Sequence, residues 1–272
     1  MKDRYSVEEL LEIMAFLRSE EGCPWDRVQT HESIQGNFLE EAYEAVDAIR
    51  KGDPELLKEE LGDVLMQVVF HSGIARDAGQ FDFDDVVSGI CRKLISRHTH
   101  LFGEDTATTP DMVLHTWEKN KRLEKGFRSA GEAMEDIPRS LPALIRSFKL
   151  QKKAADVGFD WPSVDGARDK IAEELAELLE EVDKGDKIRA AEEAGDLLFA
   201  AVNVLRILGI DPESALSGSS ERFIRRFRLM EELAGTSPDS FSGMSLEEMD
   251  SLWNEAKQTL SSDERTVNHE IG

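Results

Sequence analysis

Two sets of five carboxylates recur along this chain with the same internal spacing. Glu40, Glu41, Glu44, Glu60 and Asp63 form the first; Glu173, Glu174, Glu177, Glu193 and Asp196, each 133 positions later, form the second. Residues three and four apart on a helix share a face, so Glu173 and Glu174 converge on Glu177, and Glu193 converges on Asp196. A short break, Lys184-Gly185-Asp186, separates the two groups, and Lys51-Gly52-Asp53-Pro54 stands at the same place in the first set. Helices joined by so short a turn pack antiparallel, which sets the carboxylate groups opposite each other.

Like charges on one face repel, and they repel far more strongly when desolvated together. A divalent cation removes that cost. Oxygen-only donors without Cys or His suit Mg²⁺, with Mn²⁺ as second choice, rather than zinc. A plainer reading competes, because 56 of the 272 residues are acidic and one such pattern is commonly a solvated helix face. The second acidic pair on the adjacent helix weighs against it. So do Leu175, Leu178, Leu179, Leu197, Leu198 and Phe199, whose interleaving requires part of the acidic face to border a core. Gly62 and Gly195 sit between acids in otherwise strong helical patterns, at a cost of about 1 kcal/mol each relative to alanine. They mark either tight helix packing or the approach of a ligand.

Cations stand near the second set. Lys170 precedes Glu173 by one turn, Arg189 precedes Glu193 by one turn, and Arg222 and Arg226 share a face at i and i+4. Asn203, two turns past Asp196, is placed either to hydrogen-bond a base or ribose or to satisfy the backbone. In the first repeat Asn37 replaces Lys170 and Phe70 replaces Asn203. A ferritin-like di-iron centre would need Glu-x-x-His, and none of the six histidines stands three residues after a glutamate. His98 and His100, two apart, face away from each other on a helix. The non-enzymatic alternative is an acidic helical scaffold or a regulatory dimerisation protein.

The elements that position these residues are helices. Apolar residues recur three and four apart almost throughout, as in Leu10, Leu11, Met14 and Leu17, while alternating β-branched runs are missing. The reading is an all-α protein of two tandem helical-bundle repeats. Helices fall near 6–19, 33–50, 54–79, 83–99 and 110–124, then near 139–156, 166–183, 186–208, 213–234 and 245–260. The domains are 1–125 and 139–262, joined by a linker at 126–138 and followed by a flexible tail at 263–272.

Composition narrows the classes further. A net charge of −23 argues against a nucleic-acid-binding surface, which needs excess Lys and Arg. Two cysteines without ligand spacing argue against a disulfide framework. No run is apolar enough for a membrane helix, and the first residues lack the apolar core of a leader peptide. A soluble, cytoplasmic protein is expected.

EExxE followed by ExxD resembles the signature of the all-α nucleoside triphosphate pyrophosphohydrolases, and the wider sequence resembles MazG in its two-repeat form. GCPWDRVQTHESI, LEEAYEAVDAI, ELGDVLMQVVFH, SRHTHLFGE, DIPRSLPAL, VGFDW and EEAGDLLFAAVN carry the likeness, over about residues 6–260. The resemblance implies Mg²⁺-dependent hydrolysis of NTPs and dNTPs to monophosphate and pyrophosphate by a homodimer. It assigns metal binding to Glu174, Glu177, Glu193 and Asp196, with Glu173 orienting or deprotonating water, and a second metal set to Glu40, Glu41, Glu44, Glu60 and Asp63. Lys170, Arg222 and Arg226 are implied phosphate contacts and Trp253 a nucleotide contact, with Arg189 and Asn203 beside them. The C-terminal copy is the expected catalytic one.

Overall fold

The computed structural model describes residues 2–235 and 241–270, with side chains through 260. All regular structure among the described residues is helical, and the chain divides into two units, Met1–Lys125 and Gly126–Gly272.

The first unit contains α1 (Val7–Leu17), α2 (Pro24–Val28), α3 (His31–Lys51), α4 (Pro54–Asp77), α5 (Phe83–Arg97), α6 (Thr99–Phe102) and α7 (Pro110–Lys125). Its core is Met14, Ile34, Val69 and Phe70, with Leu10, Leu11, Met66, Ile74 and Phe83 packed around them. The second unit contains α8 (Ala130–Glu135), α9 (Ala143–Ala155), α10 (Val164–Lys184), α11 (Lys187–Ile207), α12 (Pro212–Ala234) and α13 (Leu246–Glu270). Within it α10 packs chiefly on α11, α9 bridges α11 and α12, and α12 pairs with α13.

The hairpins α3–α4 and α10–α11 are built alike. Each first helix ends on a left-handed glycine, Gly52 at φ 65° and Gly185 at φ 73°, a conformation that other residues adopt only under strain. The next residue is an aspartate that caps the following helix. Asp53 accepts from the Glu55 and Leu56 amides, and Asp186 from the Ile188 and Arg189 amides. One turn of chain therefore satisfies both helix ends and reverses direction.

Three short helices, α2, α6 and α8, have no counterpart in the periodicity, since four to six residues hold too few apolar repeats to register. The stretch expected as a linker contains α8, which buries Ala133 and packs on α9, and Ile137 behind it is buried too. Gly-Pro punctuation there signals tight turns around a packed helix. The tail expected at 263–272 falls beyond the described side chains, and residues 271–272 lie outside the described residues.

Candidate active site

The α10–α11 hairpin brings its acids together as the spacing requires. Oxygens of Glu174, Glu177 and Glu193 all lie within 4.8 Å of one another. Glu174 is 5% exposed, Glu193 half-buried and Glu177 exposed, so the cluster runs from the helix interface out to solvent. Burial raises the Glu177 carboxyl above its ordinary range, and repulsion from Glu174, Glu193 and Glu173 raises it further, with Lys170 opposing. Lys170 answers part of this charge. Its Nζ lies 2.6 Å from Glu174 and 2.9 Å from Glu173, and those two bonds push its own pKa well up. One cation against this many carboxylates leaves a net negative, oxygen-only site, and this donor set fits a hard divalent ion.

Asp196 stands outside the three-oxygen group but lines the pocket that opens beside it. That pocket has a volume of about 690 Å³, within the ordinary range for a small-molecule site, and mostly apolar walls. Lys170, Glu174 and Asp196 form its acidic end; Phe159, Trp161 and Phe199 supply aromatic surface; Asn203 and Arg206 close another side. Trp161 lies directly over the first turn of α10. A β-carbon at Gly166 would fall 2.5 Å from its Cε3, so only a glycine admits the ring there. The neighbouring Asp160 pairs with Arg206, and Arg206 Nε donates to Asn203 Oδ1 at 3.0 Å. The pocket wall is thus tied to α11 through three polar residues.

The first unit repeats the cluster in different surroundings. Oxygens of Glu41, Glu44 and Glu60 lie within 4.8 Å of one another. Burial raises the Glu60 carboxyl, with Glu44 and Asp63 adding to it; burial likewise raises Glu41, with Asp63 and Glu44 adding to it. Where the second unit has Asn203, however, Phe70 is buried in the core, with Trp25 edge-on at 6.5 Å and the Arg18 guanidinium 5.3 Å from its ring centre. Arg18 is held by Asp77 at 3.0 Å and by the Asp26 carbonyl at 2.7 Å. At the place of Asn203 the first unit thus sets a buried aromatic ring.

Not every residue singled out by sequence meets at the pocket. Arg189 is exposed near the start of α11, and Arg222, Arg226 and Trp253 belong to the α12–α13 pair; none of the four lines it. The Arg226 guanidinium lies 5.9 Å from the Trp253 ring centre, and the repeat has the same pair, Arg97 over Trp117 at 5.1 Å. In the first unit Glu124 engages Arg97 with two bonds of 2.9 and 3.1 Å, whereas Leu260 holds the corresponding position in the second. Gly62 and Gly195 have open space where a β-carbon would project, with nothing within 4 Å. Tight packing within the chain is therefore not what selects them.

Sequence reasoning missed Gln151 and Arg206 as pocket residues, and reached Asp160 and Trp161 only as part of the VGFDW motif. A lone glutamine in KLQKK and an arginine near a helix end carry no spacing signal.

Comparisons with known proteins place the chain in a family. A family model described as the MazG nucleotide pyrophosphohydrolase domain matches residues 29–102 and 164–229, which contain the two carboxylate hairpins. A nucleoside triphosphate pyrophosphohydrolase of Escherichia coli K12 is 43% identical over 93% of this chain and 97% of its own length. A nucleoside triphosphate pyrophosphohydrolase/pyrophosphatase MazG of Thermotoga maritima is 44% identical over 92% of this chain and 95% of its own. The Bacillus subtilis protein YabN is 44% identical over 91% of this chain, which spans half of that protein.

Proposed function

Because the chain belongs to the MazG nucleotide pyrophosphohydrolase family, we propose that its second unit hydrolyses ribo- and deoxyribonucleoside triphosphates to monophosphate and pyrophosphate with Mg²⁺. The protein is a hydrolase acting on phosphoric anhydride bonds. The observation that carries the finer reading is one continuous site: three carboxylates converging within 4.8 Å, one of which, Glu174, also lines a mostly apolar pocket together with Lys170 and Asp196.

Glu174, Glu177 and Glu193, with Asp196 beside them, would hold the metal, with Mn²⁺ as an alternative. Bound there, the ion supplies positive charge to the triphosphate and to the oxygens that gain charge as the anhydride opens. Glu174 anchors the cluster from its buried position. Lys170 exchanges a carboxylate for a phosphate oxygen and orients the chain of phosphates. Glu173, exposed and next to the cluster, takes a proton from water as the water oxygen bonds to phosphorus and the bridge between the α and β phosphorus atoms breaks. The family resemblance assigns the phosphates and nucleotide also to Arg222, Arg226 and Trp253, which stand on the α12–α13 pair outside the pocket lining. The first unit keeps its acids but sets the buried ring of Phe70 where the second has Asn203, which favours turnover in the second.

Association into a homodimer is part of the same reading. Leu175, Leu179 and Val182 on α10 are 44%, 54% and 56% exposed in the single chain, an apolar stripe beside the site. Sedimentation at micromolar concentration should give twice the monomer mass.

The direct test is product analysis. Wild-type protein with Mg²⁺ should convert ATP to AMP and pyrophosphate, and Glu174→Gln should lose at least about 100-fold in kcat, the scale of removing one charge-stabilising group. ADP and phosphate as products, or full activity in Glu174→Gln, would overturn the assignment.

A further inference from the structure

Gln151 is the one side chain on the pocket wall that holds a buried polar atom without a hydrogen-bond partner. It lies on α9, is 7% exposed, and lines the pocket beside Phe199, Ala200 and Asn203. Its Nε2 donates to the Phe199 carbonyl at 2.7 Å. That bond fixes the amide's orientation by chemistry alone, since a carbonyl accepts and only the NH₂ end can donate to it. Oε1 therefore occupies the other end, and it is buried and unpartnered. Buried acceptors are almost always satisfied, so an orphan on a pocket wall points to a donor that arrives with the ligand.

A second amide on the same wall is oriented just as firmly. Asn203 Oδ1 accepts from Arg206 Nε, and Arg206 is held in turn by Asp160, so the Asn203 NH₂ is the end left to donate. Gln151 and Asn203 line the same pocket as Trp161 and Phe159, so its lining includes one oriented acceptor and one oriented donor beside aromatic surface. A flat heterocycle whose edge carries an N–H beside a ring or carbonyl acceptor is complementary to it. Adenine offers its 6-amino group beside N1, cytosine its 4-amino group beside N3, guanine N1–H beside O6, and uracil or thymine N3–H beside O4.

We propose that Gln151 is a specificity-determining residue, its Oε1 accepting a hydrogen bond from an N–H on the edge of the substrate's base while Asn203 donates to the neighbouring acceptor. The proposal rests on the nucleotide-hydrolysing reading above. It makes the site broad across the common bases and selective against a base with no N–H on that edge. The first unit has no such reader. Its residue at the corresponding position is Arg18, a donor already committed to Asp77 and the Asp26 carbonyl, and Phe70 stands where Asn203 would be.

The experiment compares ATP with purine riboside 5′-triphosphate, which keeps N1 and replaces the 6-amino group by hydrogen. Wild-type kcat/KM should be about 10- to 100-fold lower for the analogue, because a site built to hydrogen-bond a substrate group rejects the compound lacking it. In Gln151→Leu the two substrates should come within about threefold of each other, with the change falling on KM. Phe199 keeps its helical hydrogen bond from the Asn203 amide, so this variant retains its backbone pairing. Equal wild-type kcat/KM for the two compounds overturns the proposal without any variant, and undiminished discrimination in Gln151→Leu overturns it as well. AMP and purine riboside 5′-monophosphate, titrated calorimetrically into wild type, give a readout free of turnover. Tighter AMP binding supports the proposal and equal binding refutes it. Absence of pyrophosphate release from ATP would count against the hydrolytic reading alone.

Discussion

Gly166→Ala separates the pocket wall from the stability of the fold. The new methyl carbon would sit 2.5 Å from Trp161 Cε3, 2.9 Å from Cδ2 and 3.1 Å from Cζ3. Ordinary carbon contacts are about 3.5–4.0 Å, so the ring must retreat by roughly 1 Å or swing away. A trapped overlap would cost about 1–3 kcal/mol. Trp161 is 47% exposed, however, and can move into solvent, while replacing a helical glycine by alanine returns up to about 1 kcal/mol. The net change in unfolding free energy should stay within about 1 kcal/mol. Loss of a base's stacking partner is worth about 1–3 kcal/mol, and with tenfold per 1.4 kcal/mol KM should rise about 5- to 100-fold. The carboxylate cluster is untouched, so kcat should hold within about threefold. Steady-state pyrophosphate release and urea unfolding measure the two quantities together. An unchanged KM in a normally folded variant would show that Trp161 does not stack on the base; a fall in kcat at constant KM would place the ring at the chemistry instead.

Asn203→Phe recreates in the second unit what Phe70 does in the first. It should raise KM at least about tenfold while leaving intact the stabilisation by saturating Mg²⁺, which is about 2.7 kcal/mol at 100 times Kd and is readable as a thermal shift. Glu60→Gln, in the first-unit cluster, should leave pyrophosphate release within about twofold of wild type, and a large loss would assign turnover to that unit. His71 packs against His31 with rings 5.1 Å apart and Nδ1 atoms 2.8 Å apart, and its pKa is lowered by burial first and by His31 second. Between that lowered value and the ordinary 6.5 the unfolded chain holds a proton that the folded chain lacks. Stability must therefore fall as pH drops through this window and recover as it rises. His71→Leu should flatten the slope in a urea midpoint series across the histidine range; an unaltered slope would exclude the pair as its source.

What the sequence reveals and what it hides divide along physical lines. The carboxylate hairpins are legible because each obeys a helical period, ends on a glycine and an aspartate, and occurs twice. Each of these signals is local. Lys170 is legible for the same reason, one turn from the acids it pairs with. The pocket is assembled from α8, α9, the 158–161 segment, α10 and α11, and no periodicity links Gln151 to Asn203 or Asp160 to Arg206, pairs about fifty residues apart. The contrast between Phe70 and Asn203 is visible in the letters, but its meaning requires knowing that one fills a volume and the other borders it. Gly62 and Gly195 were ambiguous for the opposite reason: a glycine reports that space is needed and is silent on what uses it.

The glycine–aspartate joints at 52–53 and 185–186 have a consequence for how such a protein can change. The joint is two residues, one ending a helix and one capping the next, so a residue inserted there would break that paired capping and alter which helix faces meet. Glu193 would leave Glu174 and Glu177, although every acid would still be present in the sequence. Point substitutions along the helices can drift while the joint holds its length, and the two repeats have diverged in this manner around joints of equal length. The site therefore depends on the length of these joints as well as on the identity of its acids.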